Sequence, residues 1–251
     1  MTGRERSRGA ETPPPHPESF HWSDLPDRLA ELRGETALVL EADRHEFVGS
    51  GVTMRLPLLV SLPPGLQPAP ATESVPERAA RLRAAESLAS VDPVDAFLAS
   101  IPPVLPRHVL LLMQAGAVSM GVFEGGAALA TKSLKRYVVR GKGRAQPAYL
   151  DSKGKSRYGS RLRLQNARAL LEDTNAKLSA WWDEHGAPEI LLVSAPKRLL
   201  ADLFRAPGSP PFRADDPFVR VPLDVPVPTT DVLLRTYKAL GYGRIIRGDA
   251  G

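Results

Sequence analysis

The sequence contains no cysteine among its 251 residues. Disulfide bonds, thiolate nucleophiles and cysteine-ligated zinc sites are therefore excluded. Long apolar runs are also missing: none reaches the roughly 20 residues of a membrane-spanning helix, and residues 1–19 lack the apolar centre of a signal peptide. We predict a cytoplasmic protein with no membrane partner, whose residues 1–19 form a disordered tail.

Acidic residues are nearly absent from one part of the chain. Between Lys132 and Arg168 there are twelve bases and a single acid, Asp151, which gives a net charge of +11. The remaining residues contain 21 bases and 27 acids. Solvated surface segments usually mix both signs, whereas a concentrated basic patch is typical of a protein that binds a polyanion. Nucleic acid is the first candidate.

Other catalytic motifs are missing as well. The five histidines are scattered, and we expect His108 at the edge of a strand. Neither a nucleophile elbow nor a phosphate-binding P-loop is present. The acid pairs at 92/95 and 215/216 are typical of turns and helix caps rather than of metal ligands. We therefore predict no metal and no cofactor.

The first third of the chain predicts a small N-terminal annex, residues 20–103, of unknown role. Leu25, Leu29 and Leu32 have helical spacing. Residues 36–40 and 51–62 are expected to form strands on either side of a connection at 41–50. A proline-rich linker at 63–74 precedes a helical region at 76–99, which we expect to be broken at Asp92-Pro93.

Residues 104–247 predict the main domain. Strands at 108–116, 117–124, 127–131 and 134–140 form an antiparallel meander. A long helix from Tyr158 to Glu184 follows, and its predicted buried stripe comprises Leu164, Ala167, Leu171, Thr174, Leu178 and Trp181. Strands at 189–195 and 218–225 then alternate with helices at 196–204 and 228–241. This order predicts an α/β (α+β) fold, with helices packed on a mixed sheet.

The basic loop, residues 141–157, is too long for an ordinary connection in a compact domain. Its bases repel one another, so we expect it to be mobile without a partner. Arg157, Arg161 and Arg163 begin the following helix, where cations oppose the helix dipole. An anion such as phosphate would offset this unfavourable electrostatic interaction, since guanidinium groups and free backbone N–H groups both bind phosphate well.

Gln146 is the candidate catalytic residue of the loop. Gly141 and Gly143 allow the backbone to approach a ligand closely, and Pro147 favours an extended conformation at Gln146. Glutamine cannot act as a general base, but it can orient a water molecule, and its backbone N–H can stabilise an oxyanion. These two effects are sufficient to hydrolyse only a bond that is already reactive, such as the aminoacyl ester of tRNA. By residue chemistry alone, a glutamine that merely contacts phosphate is favoured.

Several segments, in order, resemble the Vms-like release factor domain family, which is related to the middle domain of eukaryotic and archaeal class I release factors. The resemblance covers roughly Val104 to Ile246. Its motifs are Lys132, Arg136, Tyr137 and Arg140; Gly143-Arg144-Ala145-Gln146; residues 152–155 and 159–160; Leu162, Arg163 and Asn166; and residues 121–126 and 225–240.

The resemblance implies an RNase H-like topology and a peptidyl-tRNA hydrolase. The protein would enter the large ribosomal subunit and release the nascent peptide from peptidyl-tRNA. Gln146 and Gly143 would be catalytic. The partners implied are the large ribosomal subunit, peptidyl-tRNA and ribosomal RNA, and the predicted RNA-binding residues are Lys132, Arg136, Arg140, Lys142, Arg144, Lys153, Lys155, Arg157, Arg161 and Arg163.

This chain departs from the family pattern in its loop. Ala145 stands where release factors have glycine, and Arg157 and Tyr158 stand where smaller residues are usual. Eukaryotic members are also described as cutting tRNA near its 3′ end. Ester hydrolysis, tRNA cleavage, and RNA binding without hydrolysis therefore all stay open at the level of sequence.

Overall fold

The computed structural model describes residues 17–68, 74–138, 155–222 and 224–248, and for residues 155–159 the backbone alone. Within these ranges the chain forms two five-stranded sheets and six α-helices. Strands and helices are interspersed along the chain, and one of the sheets is mixed. The predicted mixed α/β class is therefore confirmed.

The strands and helices are numbered in chain order. The strands are β1 (Glu18–His21), β2 (Val39–Glu41), β3 (Glu46–Gly49), β4 (Val52–Arg55), β5 (His108–Gln114), β6 (Ala117–Glu124), β7 (Ala127–Lys135), β8 (Ile190–Ser194), β9 (Val219–Arg220) and β10 (Tyr242–Arg247). The helices are α1 (Leu25–Glu35), α2 (Val75–Leu88), α3 (Pro93–Ser100), α4 (Lys155–His185), α5 (Lys197–Arg205) and α6 (Thr230–Leu240).

The first sheet is antiparallel and has the order β1-β10-β4-β3-β2. The C-terminal strand β10 lies between β1 and β4, so the two ends of the described chain share this sheet. A Cβ atom at Gly243 would lie 2.2 Å from the ring of Phe20, which explains why glycine is required there. The sequence missed β1, β3 and β10. Glu18 and Ser19, which we expected in the tail, belong to β1.

The second sheet has the order β7-β6-β5-β8-β9. Strands β5, β6 and β7 form the predicted antiparallel meander, whereas β8 and β9 run parallel to β5. The predicted strands at 127–131 and 134–140 are a single strand, β7, which ends at Lys135. The predicted edge strand is confirmed as β9, although it is short.

Both faces of the second sheet are covered. On β5, Leu110 and Leu112 belong to a core shared with α6 and the first sheet. Val109 and Leu111 face the opposite core, formed with α4 and α5. This arrangement explains the continuous apolar run of β5, because a strand buried on both sides needs no polar alternation.

Helix α4 is longer than its buried face. Leu171, Thr174, Leu178 and Trp181 are buried as predicted, and Gly186 follows the helix with a φ of +81°. The predicted burial of Leu164 is wrong, since 72% of this residue is exposed. Among the side chains of this helix that the structure describes, the first buried one is Leu170, because the helix begins beyond the end of the sheet.

Local signals placed the other helices well. Helix α1 buries Leu25, Leu29 and Leu32, as their spacing predicts. The break before Pro93 is confirmed: the side chain of Asp92 accepts hydrogen bonds from the backbone N–H groups of Val94 and Asp95. This aspartate is therefore a helix cap, as predicted.

Candidate nucleic-acid interface

Four strands of the second sheet end at one edge, which we call the carboxyl edge. Strands β5, β8 and β9 are parallel, and β7 points the same way because β6 is antiparallel to both of its neighbours. Helices α4 and α5 each follow one of these strands. Helix α6 also begins at this edge, where Thr230 Oγ1 lies 2.9 Å from Ser133 Oγ on β7. The chain leaves β7 and enters α4 here, so the predicted loop connects at this edge.

The strand leading into the loop is held by three contacts, which we call the loop anchor. The backbone N–H of Arg136 donates to the carbonyl oxygen of Gly116 at 2.9 Å. The side-chain amide of Asn166 donates to the carbonyl oxygen of Tyr137 at 2.8 Å. The guanidinium of Arg136 lies 2.5 Å from a carboxylate oxygen of Asp173. Together these contacts join the end of β7 to α4 and to the β5–β6 turn.

Gly116 is required by the geometry of the anchor. Its φ is +84°, and a Cβ atom would lie 2.7 Å from the carbonyl oxygen of Arg136 and equally close to Val138 Cγ2. L-residues with side chains rarely adopt this φ. A side chain here would also collide with residues 136 and 138, just beyond the end of β7. The tight β5–β6 turn therefore depends on glycine.

The start of α4 extends beyond the loop anchor. Asn166 is level with Tyr137, two residues after the end of β7. The helix begins 11 residues earlier, at Lys155, which corresponds to about 16 Å of helix. No residue from 160 to 169 is buried. This part of α4 is therefore a surface-exposed extension, and it carries Arg161 and Arg163.

The predicted site residues fall into three groups. Lys132, Arg136, Arg161 and Arg163 are described, and all four lie near the carboxyl edge. Lys155 and Arg157 lie in the first turn of α4, where only the backbone is described. Outside the described residues lie Arg140, Lys142, Gly143, Arg144, Gln146 and Lys153.

Most of the described arginines away from this edge form an ion pair, whereas at the edge Arg136 pairs with Asp173 but several other cations have no such partner among the described residues. In the described part of the chain, an ion pair with a carboxylate is formed by Arg28, Arg33, Arg44, Arg55, Arg107, Arg205, Arg213, Arg235 and Arg247. By contrast, no described acid pairs with the members of a set that we call the cationic edge: Lys132, Lys135, Arg161, Arg163, Lys197 and Arg198. Cations without carboxylate partners are available to bind an anion.

Lys197 and Arg198 were not among the predicted RNA-binding residues. They begin α5 directly after β8, three strands from β7, which corresponds to a distance of about 14 Å across the sheet. In the sequence they are separated from the basic segment by almost thirty residues. Only the parallel pairing of β5 with β8 brings both groups to the same edge.

Arg136 differs from Lys132, Arg161 and Arg163 because Asp173 holds its guanidinium. An arginine already paired with a carboxylate is less available to phosphate. Its contact with Asp173 makes it part of the loop anchor, and its role in RNA binding stays a prediction.

His108 occupies the core and not, as predicted, a strand edge. It is fully buried at the start of β5. Its Nε2 donates to the carbonyl oxygen of Leu59 at 3.1 Å, and the hydroxyl of Tyr237 donates to its Nδ1 at 3.1 Å. Burial lowers the pKa of His108 to about 4, so the ring is neutral at pH 7. Its contacts are structural.

The described residues include no cluster of side chains that could hold a metal ion. A cavity of about 290 Å³ lies at the carboxyl edge, where it is lined by Gln114, Ser194, Arg220 and Asp224, among others. Gln114 donates a 2.6 Å hydrogen bond to the carbonyl oxygen of Val225, which also lines the cavity. No described helix is long and apolar enough to cross a membrane.

Residues 108–247 match the sequence profile of a family described as the Bacteroidetes VLRF1 release factor. The chain belongs to this family. The predicted resemblance to Vms-like release factor domains is thereby confirmed.

Two further comparisons found similar proteins. The chain is 30% identical over 140 residues to the mouse protein named tRNA endonuclease ANKZF1, a match that covers 54% of this chain and 19% of the mouse protein. It is also similar to a solved structure named Vms1 mitochondrial localization core, with a TM-score of 0.42 and 13% identity over 89% of this chain and 84% of the other. The RNase H-like description of the fold stays a prediction.

Proposed function

We propose that this release factor hydrolyses peptidyl-tRNA and frees the nascent peptide from stalled large ribosomal subunits. The observation that carries the proposal is the cationic edge around the loop anchor, in a chain that belongs to a release factor family. Ribosomal RNA and the tRNA backbone supply the anions that these cations lack. Because stalled large ribosomal subunits are its proposed target, we propose that the protein acts in the cytoplasm.

The loop anchor would fix the position at which the loop begins, and the loop would reach the ester bond of peptidyl-tRNA. Gln146 is eight residues beyond Val138, so chain length limits its distance from the loop anchor to about 26–29 Å. Fixing both ends of a loop on rigid elements reduces the entropy lost when its tip is positioned. The loop anchor does this by joining β7 to α4.

In the proposed reaction, water attacks the ester carbonyl that joins the peptide to the terminal ribose. The carbonyl–oxygen bond to the ribose breaks, the peptide leaves as a carboxylic acid, and the tRNA regains its hydroxyl. The side chain of Gln146 would orient the water. Backbone N–H groups of the loop, for which Gly143 leaves room, would stabilise the oxyanion. No metal or cofactor is needed for these steps.

A peptide-release assay tests this proposal. Large subunits carrying labelled peptidyl-tRNA are incubated with wild type, Gln146→Ala or the matched control Gln165→Ala, which alters an exposed glutamine of α4. We expect Gln146→Ala to lower the release rate by roughly 10²-fold or more and the control to leave it unchanged. Equal release by wild type and Gln146→Ala would remove Gln146 from the mechanism.

The contribution of the cationic edge is measured by co-sedimentation with large subunits. The double variant Arg161→Ala/Arg163→Ala should bind more weakly and with a shallower salt dependence. Its matched control is Arg78→Ala/Arg83→Ala on α2. Glu77 of this helix lies near Arg213. Because Arg213 precedes the start of β9, α2 lies towards the end of the second sheet that is opposite the carboxyl edge. If this control loses as much binding, a specific role for the cationic edge is excluded.

The name of the mouse relative favours a second candidate, a tRNA-cutting nuclease. Sequencing the tRNA 3′ end after the reaction distinguishes the two. An intact CCA end together with free peptide supports ester hydrolysis, whereas a shortened end supports cleavage of the tRNA. Binding without either product would identify a ribosome-binding factor without hydrolytic activity.

A further inference from the structure

We propose that the ring of Tyr137 is a stacking platform for an unpaired RNA base next to the cationic edge. The inference rests on the proposed function in that it requires an RNA partner. It adds a contact to a base, whereas the cations contact the phosphate backbone.

Tyr137 combines a fixed backbone with an exposed ring. Its carbonyl oxygen accepts the hydrogen bond from Asn166, and the preceding residue is held by Gly116 and Asp173. Yet 54% of Tyr137 is exposed. Among the described residues, no aromatic ring, cation or hydrogen-bonding group contacts its side chain. A large aromatic surface is therefore presented from a pre-positioned backbone.

The surroundings of the ring indicate which kind of partner would cover it. Lys135 and Arg136 precede Tyr137, and the loop anchor places it beside Asn166 of α4. Leu162 and Arg163 lie one helical turn before Asn166, on the same side of the helix. Leu162 is 38% exposed and adds apolar surface. An apolar ring among cations matches a single RNA strand, whose bases have π-faces and whose phosphates are negative.

A protein partner fits these features less well. Lys135 and Arg163, two of the cations near Tyr137, have no described carboxylate partner, so this surface keeps a positive charge that a phosphate would neutralise. Stacking on an aromatic ring tolerates any base sequence, so this contact would strengthen binding to a single-stranded end without requiring base-specific hydrogen bonds. The single-stranded acceptor end of tRNA is a ligand of this class.

The test is equilibrium binding of the full chain to a fluorescent seven-nucleotide single-stranded RNA ending in CCA, measured by anisotropy over a salt series. Tyr137→Leu should raise Kd by about 5- to 150-fold, the effect of losing one base–aromatic stack. Tyr137→Phe should bind within twofold of wild type, because stacking does not need the hydroxyl. The matched control is Tyr242→Leu, which alters a similarly exposed tyrosine on β10 that contacts the ring of His21.

Salt dependence separates the ring from the charges. Tyr137→Leu should keep the wild-type slope of log K against log salt, whereas Arg163→Ala should reduce its magnitude by about 0.7 if it contacts one phosphate. With an abasic oligomer of the same length, wild type and Tyr137→Leu should bind equally. Thermal unfolding should show unchanged stability for Tyr137→Leu, since the side chain is exposed.

The stacking role is overturned if Tyr137→Leu binds the normal oligomer as tightly as wild type. It is also overturned if Tyr137→Phe is as weak as Tyr137→Leu, which would assign a hydrogen bond to the hydroxyl, or if wild type does not bind the oligomer. These outcomes leave the proposed hydrolysis intact, because peptide release that depends on Gln146 is measured separately. Failure of peptide release, in turn, leaves the binding result standing.

Discussion

The side-chain amide of Asn166 on α4 donates a 2.8 Å hydrogen bond to the carbonyl oxygen of Tyr137, two residues beyond the end of β7. The two residues are 29 positions apart and lie on opposite sides of the basic loop. This one contact therefore helps fix both ends of the segment that contains Gln146. The contribution of this hydrogen bond to stability and to peptide release can be measured with variants that leave the loop sequence unchanged.

We expect Asn166→Ala to slow peptide release more than it weakens RNA binding. The variant keeps every base of the cationic edge but loses the contact that aligns the two ends of the loop. A neutral hydrogen bond contributes about 0.5–1.5 kcal/mol to stability, so a modest loss of unfolding free energy should accompany the effect. Peptide-release kinetics and urea unfolding measure the two quantities. The neighbouring exposed Gln165→Ala serves as control, and equal losses of binding and release in Asn166→Ala would contradict the prediction.

Gly116→Ala should destabilise the protein. The positive φ alone costs a side chain about 1–2 kcal/mol, and the added Cβ would lie 2.7 Å from the carbonyl oxygen of Arg136. The expected fall in Tm is roughly 2–8 °C. The matched control is Gly34→Ala in α1, where a Cβ meets no atom within 4 Å and alanine favours the helix by up to about 1 kcal/mol. A Tm that falls equally in both variants would rule out the proposed strain.

The pair formed by Arg136 and Asp173 should show weak, salt-sensitive coupling. Both side chains are partly exposed, and such pairs contribute about 0.2–1 kcal/mol. A double-mutant cycle with Arg136→Ala and Asp173→Ala, measured by urea unfolding at low and high salt, gives this coupling directly. A coupling that does not decrease with salt would be inconsistent with an exposed ion pair.

Arg136→Ala should also weaken RNA binding less than Arg161→Ala does. The guanidinium of Arg136 is already paired with Asp173, whereas Arg161 has no described acidic partner. The comparison uses the same anisotropy assay for both variants. A larger loss for Arg136→Ala would show that this arginine leaves Asp173 to contact RNA.

The buried side chain of His108 predicts a pH dependence of stability. Burial lowers the pKa of His108 from 6.5 to about 4, so below pH 6.5 the unfolded state takes up a proton that the folded state does not. Stability is therefore complete above pH 6.5 and decreases as the pH falls towards 4. Between pH 7.5 and pH 5 this amounts to about 2 kcal/mol. Burial also lowers the pKa of His45, which adds a change of the same sign.

Urea unfolding of wild type and His108→Gln at the two pH values checks this prediction. The variant should be less stable at pH 7.5, because it alters the contacts with Leu59 and Tyr237. Its stability should, however, change less between the two values. An identical pH dependence in both proteins would assign the effect to other groups.

Short-range signals predicted much of the second sheet and its helices. The apolar runs of β5 and β6, the break at Pro93 and the caps at Asp92 and Gly186 depend on residues that are near in sequence, and the structure confirms them. Strand β10 was missed because it is stabilised by β1 and β4, whose residues lie about 190–225 positions away. No local pattern encodes such a pairing.

The sequence by itself determined the segregation of charge, the position of the basic segment and the order of motifs that the release factor profile then matched. Only the tertiary structure decided which cations are unpaired, which of them share an edge, and that Arg136 and Tyr137 are held in place while the ring of Tyr137 is exposed. The physical reason is the separation in sequence over which each kind of interaction acts. Helix and strand preferences act over a few residues, whereas ion pairs, strand pairing and burial depend on groups that only folding brings together.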